Sequence, residues 1–240
     1  MKKIKTILIL VFTVLSITMN AQIKMPTNFT EIKIPKVGSE AYKTLSREMN
    51  FSTLEYKVKI INQKLEITKA ENNSSSELIV KNGFLKGQDH GEWGGKLLFV
   101  PNNSSEKEIE IKKGNVKFIF EHNKKIYFIE GLAHLSFNEG ALYEINQVDN
   151  QFFYTKILDF DNCPEAYTIF DNSIYIASYQ NFYKIENLKS ETILKNTFWQ
   201  GMYPNSIAMY DQENIFLGIR GGLIKLNLKT KQLKLYQSIK

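Results

Sequence analysis

The residues best suited to chemistry fall in a few short, glycine-rich stretches. Gly87-Gln88-Asp89-His90-Gly91-Glu92-Trp93-Gly94-Gly95 sets an acid, an imidazole, a second acid and an indole among four glycines. Glycine tolerates positive φ and lets a backbone approach a ligand closely. A second stretch, Glu130 to Gly140, carries Glu130, His134, Asn138 and Glu139, and further along stand Trp199, Tyr203 and Arg220. Trp93, Trp199 and Tyr203 suit apolar platforms for a ligand, with Asp89, Glu92, Glu130, Glu139 and Arg220 giving polar orientation. The alternative for each aromatic is burial between sheets. For each histidine it is a hydrogen-bonded place in a loop.

Two catalytic chemistries can be written from these residues. His90 and His134 with a carboxylate from Glu92 or Glu139 would make a three-ligand zinc shell with an open position. Their spacing matches no short ligand motif. Glu92 and Glu130 as paired carboxylates would serve acid–base work on a sugar. The sequence has no Gly-x-Ser-x-Gly elbow, no Walker-type phosphate loop and no His-Glu-x-x-His. Cys163, beside Pro164, has no neighbour that marks it as activated. No cofactor is expected, and zinc or calcium is the alternative.

These stretches must be held by the elements around them, which read as short strands. Val116 to Phe120, Ile126 to Ile129, Ala141 to Ile145 and Phe153 to Ile157 are rich in β-branched and aromatic residues and are separated by polar turns. A unit of four such strands recurs after Glu77, with turns expected at Asn82-Gly83, Glu121 to Lys125, Asp171-Asn172 and Asp211 to Glu213. The second strand begins at Phe84, Ile126, Ile174 and Ile215, spacings of 42, 48 and 41 residues. That is the period of a four-stranded propeller blade.

Pro204 to Leu217 resembles the first hairpin of an NHL-type or related β-propeller blade, and Pro164 to Ala177 repeats the pattern with Pro in the same place. The resemblance spans about Glu77 to Gln237 and implies an all-β propeller of antiparallel four-stranded blades, but no activity. The expected units are 77–112, 113–160, 164–197 and 204–237, with 22–76 as a degenerate first blade, for about five blades. Within 22–76 the sequence predicts a strand at Phe29 to Ile34 and a hairpin turning at Asn62-Gln63; Ser39 to Met49 reads as a short helix or another strand. A closed ring would leave few free edges. Phe128-Ile129-Glu130-Gly131-Leu132 is also similar to a motif of the propeller-type glutaminyl cyclotransferases, over too short a span to carry their zinc-associated activity across.

In a propeller the second-to-third-strand loops and the connections between blades open on one face. Both tryptophans, His90, His134 and Arg220 would then gather there.

Composition narrows the class. Met1 to Lys5 is basic and Ile7 to Ile17 apolar, so residues 1–21 read as a secretory signal, cleaved after Ala21. Removing Lys2, Lys3 and Lys5 leaves 28 of the 31 basic residues against 25 acidic, a net charge of +3. The remaining lysines form no stripe, which excludes a nucleic-acid partner. One cysteine permits no intrachain disulfide. The expectation is a single exported domain, 22–240, periplasmic or extracellular, monomeric, with no membrane span after signal removal. Its expected role is to bind a small ligand or an envelope protein through the loop face, with a metal-assisted hydrolase, lyase or cyclotransferase as the alternative.

Overall fold

Tight turns set the architecture. Asn62 and Gln63, Asn123 and Lys124, and Asp171 and Asn172 all hold φ between 46° and 62°, the paired left-handed conformation that joins twisted strands directly. The turn expected at Asn82-Gly83 sits one residue earlier. Asn82 has φ 67°, while Gly83 opens a strand, where a Cβ would lie 2.3 Å from the Val100 carbonyl oxygen.

A computed structural model describes residues 23, 25–70, 75–148 and 151–239. The signal segment read at 1–21 lies outside these residues. The N-terminal part contributes β1 (Phe29–Ile32), α1 (Glu40–Asn50), β2 (Tyr56–Ile61) and β3 (Lys64–Lys69). A first four-stranded sheet follows, β4 (Ser75–Val80), β5 (Gly83–Asp89), β6 (Gly95–Pro101) and β7 (Ile109–Lys113). The second is β8 (Val116–His122), β9 (Lys125–His134), β10 (Phe137–Val148) and β11 (Gln151–Phe160). The third is β12 (Pro164–Phe170), β13 (Ser173–Ser178), β14 (Phe182–Glu186) and β15 (Lys189–Leu194). The last is β16 (Ser206–Met209), β17 (Ile215–Ile219), β18 (Gly222–Asn227) and β19 (Gln232–Ser238).

Each of these four units is an antiparallel meander in chain order, as a propeller requires. Side chains alternate between faces, so neighbours in one strand enter different cores. Ile119 and Phe128 pack against Leu85 and Leu97 of the first sheet, whereas Phe120 and Ile129 pack against Ile174 and Ile176 of the third. Burial on both faces explains why these strands read as nearly unbroken apolar runs. A third core joins Ala177 and Phe182 to Ile207, Leu217 and Ile224, and a fourth joins Phe216 and Tyr236 to Phe29, Tyr56 and Val58.

Among the described residues, the segment 22–76 does not form a four-stranded unit of its own. β1 pairs antiparallel with β19, Phe29 opposite Ser238 and Ile32 opposite Leu235, and so becomes the fifth strand of the last sheet. Its backbone groups cover what would otherwise be an open edge. The stretch read as helix or strand is helix α1. Ser39 caps it by accepting from the Tyr42 N–H at 3.2 Å, and Leu45 and Met49, one turn apart, dock into the third core. β2 and β3 remain a two-stranded sheet. Among the described residues, the outermost strands β1, β3, β7, β11 and β15 keep unpaired outer edges.

Candidate functional site

The stretch expected as a long loop, Glu130 to Gly140, is largely strand. β9 and β10 continue as a hairpin to a turn at Leu135 and Ser136, with Gly131 opposite Gly140. These two glycines allow the hairpin to cross Pro164. A Cβ on Gly140 would lie 2.3 Å from Pro164 Cδ and 2.6 Å from the Glu130 carbonyl oxygen, and one on Gly131 would lie 2.9 Å from the same Cδ. At the tip, His134 Nε2 is 3.0 Å from Glu92 Oε2, which ties the hairpin to the turn between β5 and β6. That turn is closed by the His90 N–H donating to the Gly94 carbonyl, and Trp93 within it is 84% exposed.

Beside the hairpin lies an open groove of about 770 Å³. The end of β7 and the link to β8 supply Lys112, Lys113, Gly114 and Asn115; β9 and β10 supply Glu130, Phe137, Asn138, Glu139 and Tyr143; β11 and its end supply Lys156, Asp159 and Asp161. Glu130 is fixed from two sides, by Lys112 Nζ at 2.5 Å and by the Tyr143 hydroxyl donating at 2.5 Å. The Lys112 ammonium also lies 5.0 Å from the Tyr143 ring centre. Burial first, then the Glu130 carboxylate, push the Tyr143 phenol well above its ordinary pKa, so it stays a donor. Lys156 pairs with Asp159 at 2.8 Å. Asn115 is 8% exposed; its Nδ2 donates to the Gly91 carbonyl at 2.7 Å, and its Oδ1 has no partner. That oxygen is closed off from solvent, so its missing partner is a cost of packing and not an opening onto the groove. A second recess of about 310 Å³, lined by His90, Trp93, Lys113 and Gly114 among others, adjoins the groove through Lys113 and Gly114.

Some expected contacts are instead structural. Asn138 accepts from the Cys163 N–H at 2.8 Å and donates to Asn162 Oδ1 at 3.3 Å, so it holds the entry to β12 while facing the groove. Asp89 is taken up by the Gly91 N–H and by Lys117 Nζ at 3.2 Å. Lys117 also meets Glu165 at 3.1 Å. Burial alone would lower the Lys117 pKa, but Glu165, Cys163 and Asp89 outweigh it and raise it. Burial pushes the Cys163 thiol up, and Glu165 adds to the effect. This thiol is not an activated nucleophile.

The remaining candidates do not line the groove. Trp199, read as a platform, is fully buried, and its indole N–H donates to the Ser178 carbonyl at 3.0 Å. It fills the third core because a large ring at the edge of two packed sheets gains more from burial than from solvent. Arg220 stacks 4.5 Å over the Tyr203 ring centre and spends its donors on Glu55 at 2.7 Å and Asn50 at 3.0 and 3.2 Å. It anchors the end of α1. Contacts run continuously from Asn138 through Cys163 and Tyr179 to Tyr203 and Arg220. Of this chain of contacts only Asn138 borders the groove.

Among the described residues no group of three or more His, Cys, Asp or Glu side chains is placed to hold a metal ion. Glu92 and His134 meet, while His90 lines the smaller recess. Sequence reading missed Lys112, Asn115, Tyr143, Lys156 and Asp161. The one available signal was the Gly114-Asn115 step ahead of a strand, since Gly114 has φ 149° and a Cβ there would meet the Glu130 carboxylate at 2.5 Å.

No family model matches the chain, and no curated protein matches its sequence. Solved structures do. The extracellular domain of a protein described as a hybrid two component system from B. thetaiotaomicron is similar at 16% identity and TM-score 0.44, covering 88% of this chain and 29% of that one. The Swd1 β-propeller domain of Myceliophteria thermophila is similar at 8% identity and TM-score 0.40, covering 86% and 57%. An engineered GH43 glycoside hydrolase follows at 11% identity and TM-score 0.35, covering 79% and 43%. The chain thus spans at most 57% of these three proteins.

Proposed function

We propose that this chain is an exported five-bladed β-propeller, the β2–β3 hairpin serving as its reduced N-terminal blade, and that it binds a small ligand in the groove beside the β9–β10 hairpin. The observation that carries the reading is a groove of about 770 Å³ whose wall sets Lys113, Glu139 and Asp161, none of them in a side-chain ion pair among the described residues, beside the interlocked Lys112, Glu130 and Tyr143. That volume lies in the range of about 300–1,000 Å³ usual for small-molecule clefts. Pre-set side chains favour the same reading, because Lys112, Glu130 and Tyr143 hold one another in place before any ligand arrives.

A thermal-shift screen of a broad metabolite panel tests it, with Glu139→Ala/Asp161→Ala as the control variant. A ligand should raise the melting temperature of the native protein and leave the variant unmoved. Ligand shifts equal in both proteins would place binding elsewhere. Capture of an envelope protein through Trp93 and Leu135, with no small-molecule shift, would replace this reading with a protein-docking one. Export is tested by fractionation and by mass spectrometry of the mature N-terminus, expected at Gln22.

A further inference from the structure

We infer that the ligand is a neutral, polyhydroxylated molecule, an oligosaccharide long enough to run from the groove onto Trp93. The inference rests on the groove reading above and names its ligand class.

Charge within the groove is largely cancelled internally. Lys112 is matched by Glu130 and Lys156 by Asp159, so neither pair selects a charged ligand. The groups left over are of opposite kinds. Among the described residues Lys113, Glu139 and Asp161 make no side-chain hydrogen bond or ion pair. A phosphate only accepts and would leave the carboxylates unmatched. An ammonium only donates and would crowd Lys113. A hydroxyl does both at one oxygen, so a row of hydroxyls satisfies a lysine donor and carboxylate acceptors together.

Trp93 supplies the complementary half of the recognition. Its ring is 84% exposed and lines a recess that shares Lys113 and Gly114 with the groove. An indole left in water beside polar side chains offers a flat apolar surface for the C–H face of a sugar ring. Two adjoining compartments of about 770 and 310 Å³ suit a chain of rings better than a single one.

Isothermal titration of the full mature protein with neutral xylo-, gluco- and manno-oligosaccharides, sugar phosphates and free amino acids is the test. A neutral oligosaccharide should bind with affinity that does not change with salt. Trp93→Ala should weaken it about tenfold without altering the melting temperature. Asp161→Asn, which keeps the hydrogen-bonding shape and removes the charge, should change it by less than about threefold. Salt-dependent binding of a sugar phosphate or amino acid instead, abolished by Lys113→Gln or Asp161→Asn, overturns the ligand class and leaves the groove standing. No binding by any probe, or oligosaccharide binding indifferent to both Trp93→Ala and Glu139→Ala, overturns the inference. In the second case the groove reading falls too.

Discussion

Lys117 on β8 places its ammonium 3.1 Å from the Glu165 carboxylate of β12, an ion pair that joins the second four-stranded sheet to the third. Asp89, 3.2 Å away at the end of β5, brings in the first sheet as well. Only 16% of the lysine side chain is exposed, so removing it strands two carboxylates against one another. Lys117→Met should cost about 3–5 kcal/mol in urea denaturation, because a partly buried charge is left unpaired. A triple variant with Asp89→Asn and Glu165→Gln should recover much of that loss.

Alkaline pH should destabilise the protein in two stages. Lys117, Tyr143 and Cys163 all have pKa values raised in the folded state. A raised group stabilises the fold below its unfolded pKa, and that contribution is lost as pH rises beyond it, because the folded chain then holds more protons than the unfolded one. The melting temperature should begin to fall near pH 8.5, about where a free thiol titrates, and fall further above about pH 10. Cys163→Ala should remove the first stage only. The native thiol should also resist disulfide exchange reagents at pH 8 until the protein is unfolded.

Tryptophan fluorescence should resolve into two populations. Trp93→Phe should leave blue-shifted emission that iodide cannot quench, since Trp199 is fully buried. Trp199→Phe should leave red-shifted, quenchable emission and lower stability, because the Ser178 carbonyl loses its donor.

Gly140→Ala should disturb the groove through the backbone of its wall, leaving every groove side chain in the sequence. A Cβ there meets Pro164 Cδ at 2.3 Å and the Glu130 carbonyl oxygen at 2.6 Å, so the hairpin must lift off β12. Forced overpacking of this kind costs about 1–3 kcal/mol. Chemical denaturation should show that loss, and ligand-induced thermal shifts should shrink with it.

The periodic part of the fold was legible from sequence because two local signals agreed. Apolar runs marked the strands of the four units, and Asn-rich dipeptides marked turns that do hold positive φ, as at Asp171 and Asn172. Legibility failed where partners are distant in the chain. Nothing near Phe29 announces that it will pair with Ser238. Gly131, Gly140 and the polar residues between them lowered the strand signal of the β9–β10 extension, although cross-strand pairing there is regular. The loop segment around Trp93 was found by its unusual composition. The groove residues Lys112 and Lys156 looked like ordinary solvent-facing lysines, because only the register of neighbouring strands shows which lysine meets a carboxylate.

The pairing of β1 with β19 has a consequence for how the molecule is made. β1 is made well before β16 to β19, the other members of its sheet, so that sheet cannot be completed until β19 has emerged. An incomplete chain exposes the β19 position as an empty berth, and its N-terminal strand stays free to seek another edge. Collapse of that sheet only once β19 is complete would suit such a wiring.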